Sequence, residues 1–171
     1  MDTKVTCFDT NSAVYADNNN YNTSTYSYSP AGIPMVLHTD YCKPEYKTKG
    51  AAGADLKSML NLTLAPGAGH LISTGVSLAI PEGFVGLVFP RSGLASKGIT
   101  LKNSVGVIDS DYRGEIMVSL VNNSYETVEI NKGDRIAQIV FLPVTQFPFI
   151  SVDKLPETAR GTGGFGSTGG N

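Results

Sequence analysis

Leu60-Asn61-Leu62-Thr63-Leu64 alternates apolar and polar residues and is turned by Ala65-Pro66-Gly67; Val76-Ser77-Leu78-Ala79-Ile80 repeats the pattern before Pro81-Glu82-Gly83. A period of two sends one set of side chains to a core and the other to water, as in a half-buried strand. The series continues over Phe84 to Phe89, Glu115 to Val121, Thr127 to Ile130 and Arg135 to Leu142, the last opened by Asn131-Lys132-Gly133-Asp134. Runs this short, rich in Val and Ile and cut by Gly and Pro, indicate an all-β sandwich or barrel. Only Ser92-Gly93-Leu94-Ala95-Ser96-Lys97 reads as a helical turn, too short to stand alone. No internal repeat is apparent.

The two ends differ from this middle. Tyr15 to Ser29 is polar and tyrosine-dotted with almost no aliphatic residue, so it cannot bury enough surface to offset its ordering entropy. The expected organisation is a flexible polar arm over 1–30, a β-barrel over 31–152, and a linker with a glycine-rich tail over 153–171. With 171 residues the chain has room for one full globular domain.

Hydrophobic residues make up 41% and charged residues 16% of the chain, enough apolar material for a core. Thirteen Lys and Arg against fifteen Asp and Glu leave a net charge of −2, which argues against nucleic-acid binding. An anionic ligand must then be held by local charges. Cys7 and Cys42, with His38 and His70, match no zinc spacing and make no disulfide framework. No apolar run spans a bilayer, and the start Met1-Asp2-Thr3-Lys4 has neither secretory nor transit character. The expected location is intracellular, cytoplasmic or nuclear, with no membrane partner.

All four arginines lie in or beside glycine-containing turns: Arg91-Ser92-Gly93, Tyr112-Arg113-Gly114, Gly133-Asp134-Arg135 and Arg160-Gly161. Glycine lets the main chain approach a ligand, and guanidinium grips phosphate bidentately; turns and surfaces also favour these residues for ordinary reasons. Pro90-Arg91-Ser92-Gly93 follows a strand and opens the helical turn, so Ser92 is either part of a phosphate seat or an N-cap. Asn103 to Glu115 reads as a β-hairpin arm. Within it Asp109 and Asp111 are turn formers, a D-x-D metal pair, or the source of a single base beside Val107 and Ile108. The tail from Arg160 to Asn171 is either a plain glycine linker or a lid whose Phe165 stacks on a ring.

Five segments in order carry a resemblance: Ala52-Gly53-Ala54-Asp55-Leu56, Pro90 to Ala95, Gly106 to Gly114, Gly133-Asp134-Arg135-Ile136-Ala137-Gln138, and Arg160 to Gly169. Together they resemble the five motifs of the trimeric deoxyuridine triphosphate nucleotidohydrolases (dUTPases), from about residue 34 to the end. Ala54 stands where many members carry an aromatic. The resemblance implies a distorted jelly-roll β-barrel assembled as a homotrimer, each site drawing on all three chains and the C-terminal arm crossing to a neighbour. It implies hydrolysis of dUTP to dUMP and pyrophosphate, which keeps uracil out of DNA and supplies dUMP for thymidylate synthesis. Asp109 would activate the water that attacks the α-phosphorus. Asn103, Gly106 and the backbone around Val107, Ile108 and Met117 would take uracil, and Tyr112 would lie against the deoxyribose. Arg91, Ser92, Gly93 and Gln138 would hold the phosphates. Arg160, Ser167 and Thr168 would take the γ-phosphate and Phe165 would stack on uracil, with Gly166 in the same substrate-binding set. Mg²⁺ would ride on the triphosphate, reached by Asp55 only through water. Asp111, Arg113 and Asp134 are expected to be structural.

A dCTP deaminase on the same fold would need a Glu where this chain has Ser119, and a Trp where it has Tyr112. A non-catalytic nucleotide sensor would have no need of Asp109. The tyrosine-rich N-terminal arm, outside the resemblance, suits an additional partner.

Overall fold

A computed structural model of the chain describes residues 32–164. The arm expected over 1–30, Cys7, and Phe165, Gly166, Ser167 and Thr168 lie outside the described residues.

The described chain is all-β. Its strands are β1 (Met35–Leu37), β2 (Ala54–Lys57), β3 (Leu62–Leu64), β4 (Gly69–Ser73), β5 (Val76–Leu78), β6 (Phe84–Phe89), β7 (Ile99–Leu101), β8 (Gly106–Ile108), β9 (Met117–Asn122), β10 (Val128–Ile130) and β11 (Arg135–Pro143). One helical turn, α1 (Ser92–Ala95), and a 3₁₀ turn at Asp40–Cys42 complete the regular structure. The strands form four small antiparallel sheets ordered β1-β5, β10-β3, β2-β11-β6-β8 and β4-β9-β7.

Period-two patterning fixes the buried face of strands such as β9 and β5. In β9 Val118, Leu120 and Asn122 point inward, and in β5 Val76 and Leu78 do so. With Leu56, Ile72, Ile99, Ile116, Ile136 and Ile139, the apolar members Val118, Leu120, Val76 and Leu78 form one continuous core, the main stabilising term at roughly 25 cal/mol per Å² of apolar surface removed from water. Strand β11 breaks the period: Ile136 and Ala137 are both buried, and its register with β2 shifts between Arg135 and Ala137. One extra residue on one strand is a β-bulge.

Asn122 is buried alongside three other polar or charged residues, Asp55, Ser58 and Thr74, and its hydrogen-bonding capacity is filled. Its Nδ2 donates to the Leu64 and Glu126 carbonyls, both at 2.8 Å, while Oδ1 accepts from Ser124 N at 2.9 Å and Ser124 Oγ at 2.7 Å. The amide therefore ties β9 to β3 and to the turn before β10. Cys42 is a free, buried thiol.

Residues 144–152, grouped with the barrel on their hydrophobicity, form no strand. After Val144, whose N–H donates to the Gly83 carbonyl at 2.8 Å, the chain leaves the sheets with Phe147, Phe149, Ile150, Val152 and Leu155 exposed. Among the described residues no helix is long and apolar enough to cross a membrane.

Asn122→Ala should lower the unfolding free energy by about 2–4 kcal/mol, because several buried groups lose their partner at once. Asn122→Asp should not rescue it, since a carboxylate would face two carbonyl oxygens. Urea denaturation measures both, and wild-type stability in the aspartate variant would contradict the donor roles given to Nδ2.

Candidate active site

The expected hairpin over 103–115 does not form as a strand pair. β8 pairs with β6, Gly106 opposite Val88 and Ile108 opposite Gly86, while β9 pairs with β4 and β7. The two arms belong to different sheets, and residues 109–116 bridge them. Between the arms lies a hollow of about 200 Å³ lined by Val107, Ile108, Asp109, Tyr112, Glu115, Ile116 and Met117. It is smaller than the roughly 300–1,000 Å³ of a drug-sized site and suits one small ring.

Five of the expected site residues, Val107, Ile108, Asp109, Tyr112 and Met117, meet at this hollow. Asn103 precedes β8, and its amide nitrogen would lie 3.7 Å from a Cβ placed on Gly106. That same Cβ would press on Val88 at 3.2 Å, so the absent side chain lets β8 lie close to β6. The segment after β8 is a closed turn in which Tyr112 N–H donates to the Asp109 carbonyl at 3.2 Å. The Arg113 guanidinium closes the same turn, donating to the Ser110 carbonyl at 2.6 Å and the Tyr112 carbonyl at 2.9 Å. Asp109 is exposed on the rim, and among the described residues its carboxylate makes no hydrogen bond or ion pair.

Glu115 was not among the expected site residues. Its Oε1 accepts the Ser73 hydroxyl and the Gly75 N–H, the latter at 2.6 Å. The adjacent Ile116 donates its N–H to the Val76 carbonyl at 2.8 Å and accepts from Thr74 Oγ1 at 2.6 Å. Residues 115–116 are thereby stitched to the β4–β5 turn. Burial pushes the Glu115 carboxyl up, but the hydrogen bonds from Ser73 and Gly75 and the nearby His38 outweigh it and hold it below its ordinary value.

A second group gathers around Asp55. Its buried carboxylate takes Arg91 Nε on Oδ1 at 2.8 Å and an Arg135 guanidinium nitrogen on Oδ2 at 2.9 Å. Arg91 also donates to the Arg135 carbonyl at 3.2 Å, and Gln138 Nε2 donates to the Pro90 carbonyl at 3.0 Å. The β11 bulge explains the grouping. Without the extra residue, Arg135 and Gln138, three apart, would face opposite ways; with it both join Asp55, which sits opposite Gln138 in the β2–β11 register. Arg135 was not expected here, although its turn was singled out. The two guanidiniums retain further N–H donors around one shared anion, an arrangement suited to phosphate oxygens.

Ser92 does not cap α1. The N-cap position is Arg91, with no side-chain cap, and Ser92 and Gly93 are exposed beside it. Asp134 is structural, its carboxylate accepting Asn131 N–H at 2.8 Å within the turn before β11. Among the described residues no three His, Cys, Asp or Glu side chains gather as a metal cage. No hydrogen bond or ion pair among the described residues links the Asp109 hollow to the Asp55 group. Arg160 is exposed in a turn where Gly163 N–H donates to its carbonyl at 3.1 Å.

Comparison with known proteins extends this geometry. A family model described as dUTPase matches residues 40–169. The chain is 53% identical over 131 residues to the deoxyuridine 5'-triphosphate nucleotidohydrolase of Rhizobium rhizogenes, covering 74% of this chain and 84% of that one. It is 55% identical over 130 residues to the enzyme of the same name from Desulfitobacterium hafniense, covering 74% and 86%. Among solved structures, the Staphylococcus bacteriophage 80alpha dUTPase with dUpNHpp superposes with a TM-score of 0.74 at 29% identity, covering 81% of this chain and 99% of that one. A mutant dUTPase from phage phi11 of S. aureus, described with a structural Mg(II) ion, gives 0.68 at 28% identity, covering 74% and 99%.

The Glu115 contacts predict a pH signature. A carboxyl held low in the folded state contributes stability that is present above its ordinary value of 4.5 and is lost as pH falls through the folded value. Glu115→Gln should therefore be less stable than the parent at neutral pH by about 1–2 kcal/mol, with the gap closing in acid. Denaturation midpoints across a pH series test this; a gap independent of pH would contradict an ionised acceptor.

Proposed function

Because this chain belongs to the dUTPase family, we propose that its own Asp109 aims the attacking water in the hydrolysis of dUTP to dUMP and pyrophosphate. The observation that carries the assignment is the exposed Asp109 carboxylate, free of partners among the described residues, on the rim of a hollow the size of one small ring. A group with no ion pair to break can accept a proton from a water held against it.

The hollow takes uracil. Its two walls come from strands of different sheets, so main-chain groups can face a base edge that offers one N–H between two carbonyls. Cytosine presents the wrong donors there, a mismatch that can cost a factor of about 10⁴–10⁵. Thymine is refused by its methyl group. Tyr112 walls the deoxyribose on the same rim. A deaminase reading has no support, since Ser119 on β9 offers a hydroxyl where a proton-shuttling carboxylate is needed.

Arg91, Ser92, Gly93 and Gln138 bind the phosphate chain, and Arg135, joined to Arg91 through Asp55, adds a further donor. Mg²⁺ on the triphosphate would supply charge neutralisation at the leaving pyrophosphate. Among the described residues no metal cage forms, and the Asp55 oxygens already lie on two guanidiniums, so the ion would be held chiefly by the substrate's phosphate oxygens and water. Asp55 would reach that ion only through water.

The assembly is a homotrimer. The exposed apolar run through Phe147, Phe149, Ile150 and Val152 supports an arm that packs on a neighbouring copy, as contiguous exposed apolar surface marks a protein contact. The arm carries Arg160, Phe165, Gly166, Ser167 and Thr168 to that neighbour's nucleotide as a lid.

Asp109→Asn should bind dUTP, by calorimetry, with near-parental affinity while pyrophosphate release falls about 10²–10⁴-fold. Unchanged turnover would remove Asp109 from the role of base. A chain ending before Arg160 should keep its oligomeric state by light scattering and lose most of its turnover; full activity would contradict the lid.

A further inference from the structure

Gly114 is a glycine for reasons of space. Its φ lies outside the left-handed region that favours glycine, so its backbone would accept alanine. It is exposed and fills no core position. What excludes a side chain is Tyr112: a Cβ on Gly114 would stand 2.6 Å from Cζ and 3.0 Å from Cε2 of that ring, and closest of all to its hydroxyl. Carbon atoms at such separations must move apart.

The ring is folded back over the main chain and held at its far end. The Tyr112 hydroxyl donates to the Glu115 carbonyl at 3.0 Å, and the Glu115 carboxylate is itself anchored on Ser73 and Gly75. The hydroxyl end of the ring lies against Gly114, and the residue as a whole borders the hollow with Asp109 and Met117. Its position is thus set by the missing Cβ beneath it and by the carbonyl that receives its hydroxyl.

We propose that Gly114 is a positioning residue for sugar discrimination: the bare backbone seats the Tyr112 ring so that it closes the space a 2′-hydroxyl would need. This rests on the reading of Tyr112 as the wall against deoxyribose. A methyl group on residue 114 strikes the hydroxyl end of the ring and breaks its bond to Glu115. The ring then swings free of the fixed plane and ceases to distinguish deoxyribose from ribose.

The test compares kcat/KM for dUTP and UTP in the full chain, its Gly114→Ala, Tyr112→Ala and Tyr112→Phe variants, and the Gly114→Ala/Tyr112→Ala double variant. Gly114→Ala should reduce the dUTP-over-UTP ratio by about tenfold or more with an unchanged thermal midpoint. Tyr112→Phe should show a smaller loss, because the ring stays seated without its tether. The double variant should match Tyr112→Ala alone, which identifies action through the ring. A parental ratio in Gly114→Ala, or independent losses in the double variant, would overturn the inference while leaving the Tyr112 wall intact. A parental ratio in Tyr112→Ala would instead overturn the wall, and the inference with it.

Discussion

Two strands close in sequence are claimed by different sheets, and the candidate site follows from that division. β8 has only three residues, all engaged with β6, and β9 is held between β4 and β7. The link between them must span the gap, and its facing main-chain groups are not consumed by a ladder. Ladder hydrogen bonds would otherwise satisfy the backbone and close the space. The Glu115 carboxylate and the Thr74 hydroxyl pin the far side of the gap to the β4–β5 turn, so the hollow is a fixed feature of the fold.

The Asp55 group, proposed to bind the phosphates, depends on a different local device. The bulge in β11 brings Arg135 and Gln138 to one face, and the buried Asp55 carboxylate holds two guanidiniums that would otherwise repel. A carboxylate removed from water is tolerated when it is paired on both oxygens, and here the pairing also orients the arginines. The Asp109 hollow meets the β2-β11-β6-β8 sheet through β8, yet no direct side-chain hydrogen bond or ion pair among the described residues joins it to the Asp55 group. Under the proposed function, a bound nucleotide would complete the connection.

Much of the strand content was legible as alternation. Phe84–Phe89 coincides with its sequence run, and the helical turn falls within the Ser92 to Lys97 stretch. Asp109, Tyr112 and Met117 were legible through the motif order and do meet at one hollow. Pairing was not legible, because a period of two specifies which face is buried and says nothing about which strand lies alongside. That is why the segment from Asn103 to Glu115 looked like a closed hairpin. Glu115 was missed because its partners, Ser73 and Gly75, are some forty residues away and become neighbours only in the folded sheet order. Arg135 was flagged as one arginine turn among several and within the fourth motif segment, with no site role; its place beside Asp55 depends on a bulge that no local pattern announces.

The proposed reaction depends on a water, aligned by Asp109, that attacks the innermost phosphorus. Single-turnover hydrolysis of dUTP in heavy-oxygen water, with both products resolved by mass spectrometry, tests this most directly. The heavy oxygen should appear in dUMP and be absent from pyrophosphate. Label in pyrophosphate would place the attack on the β-phosphorus and contradict the geometry assigned to Asp109.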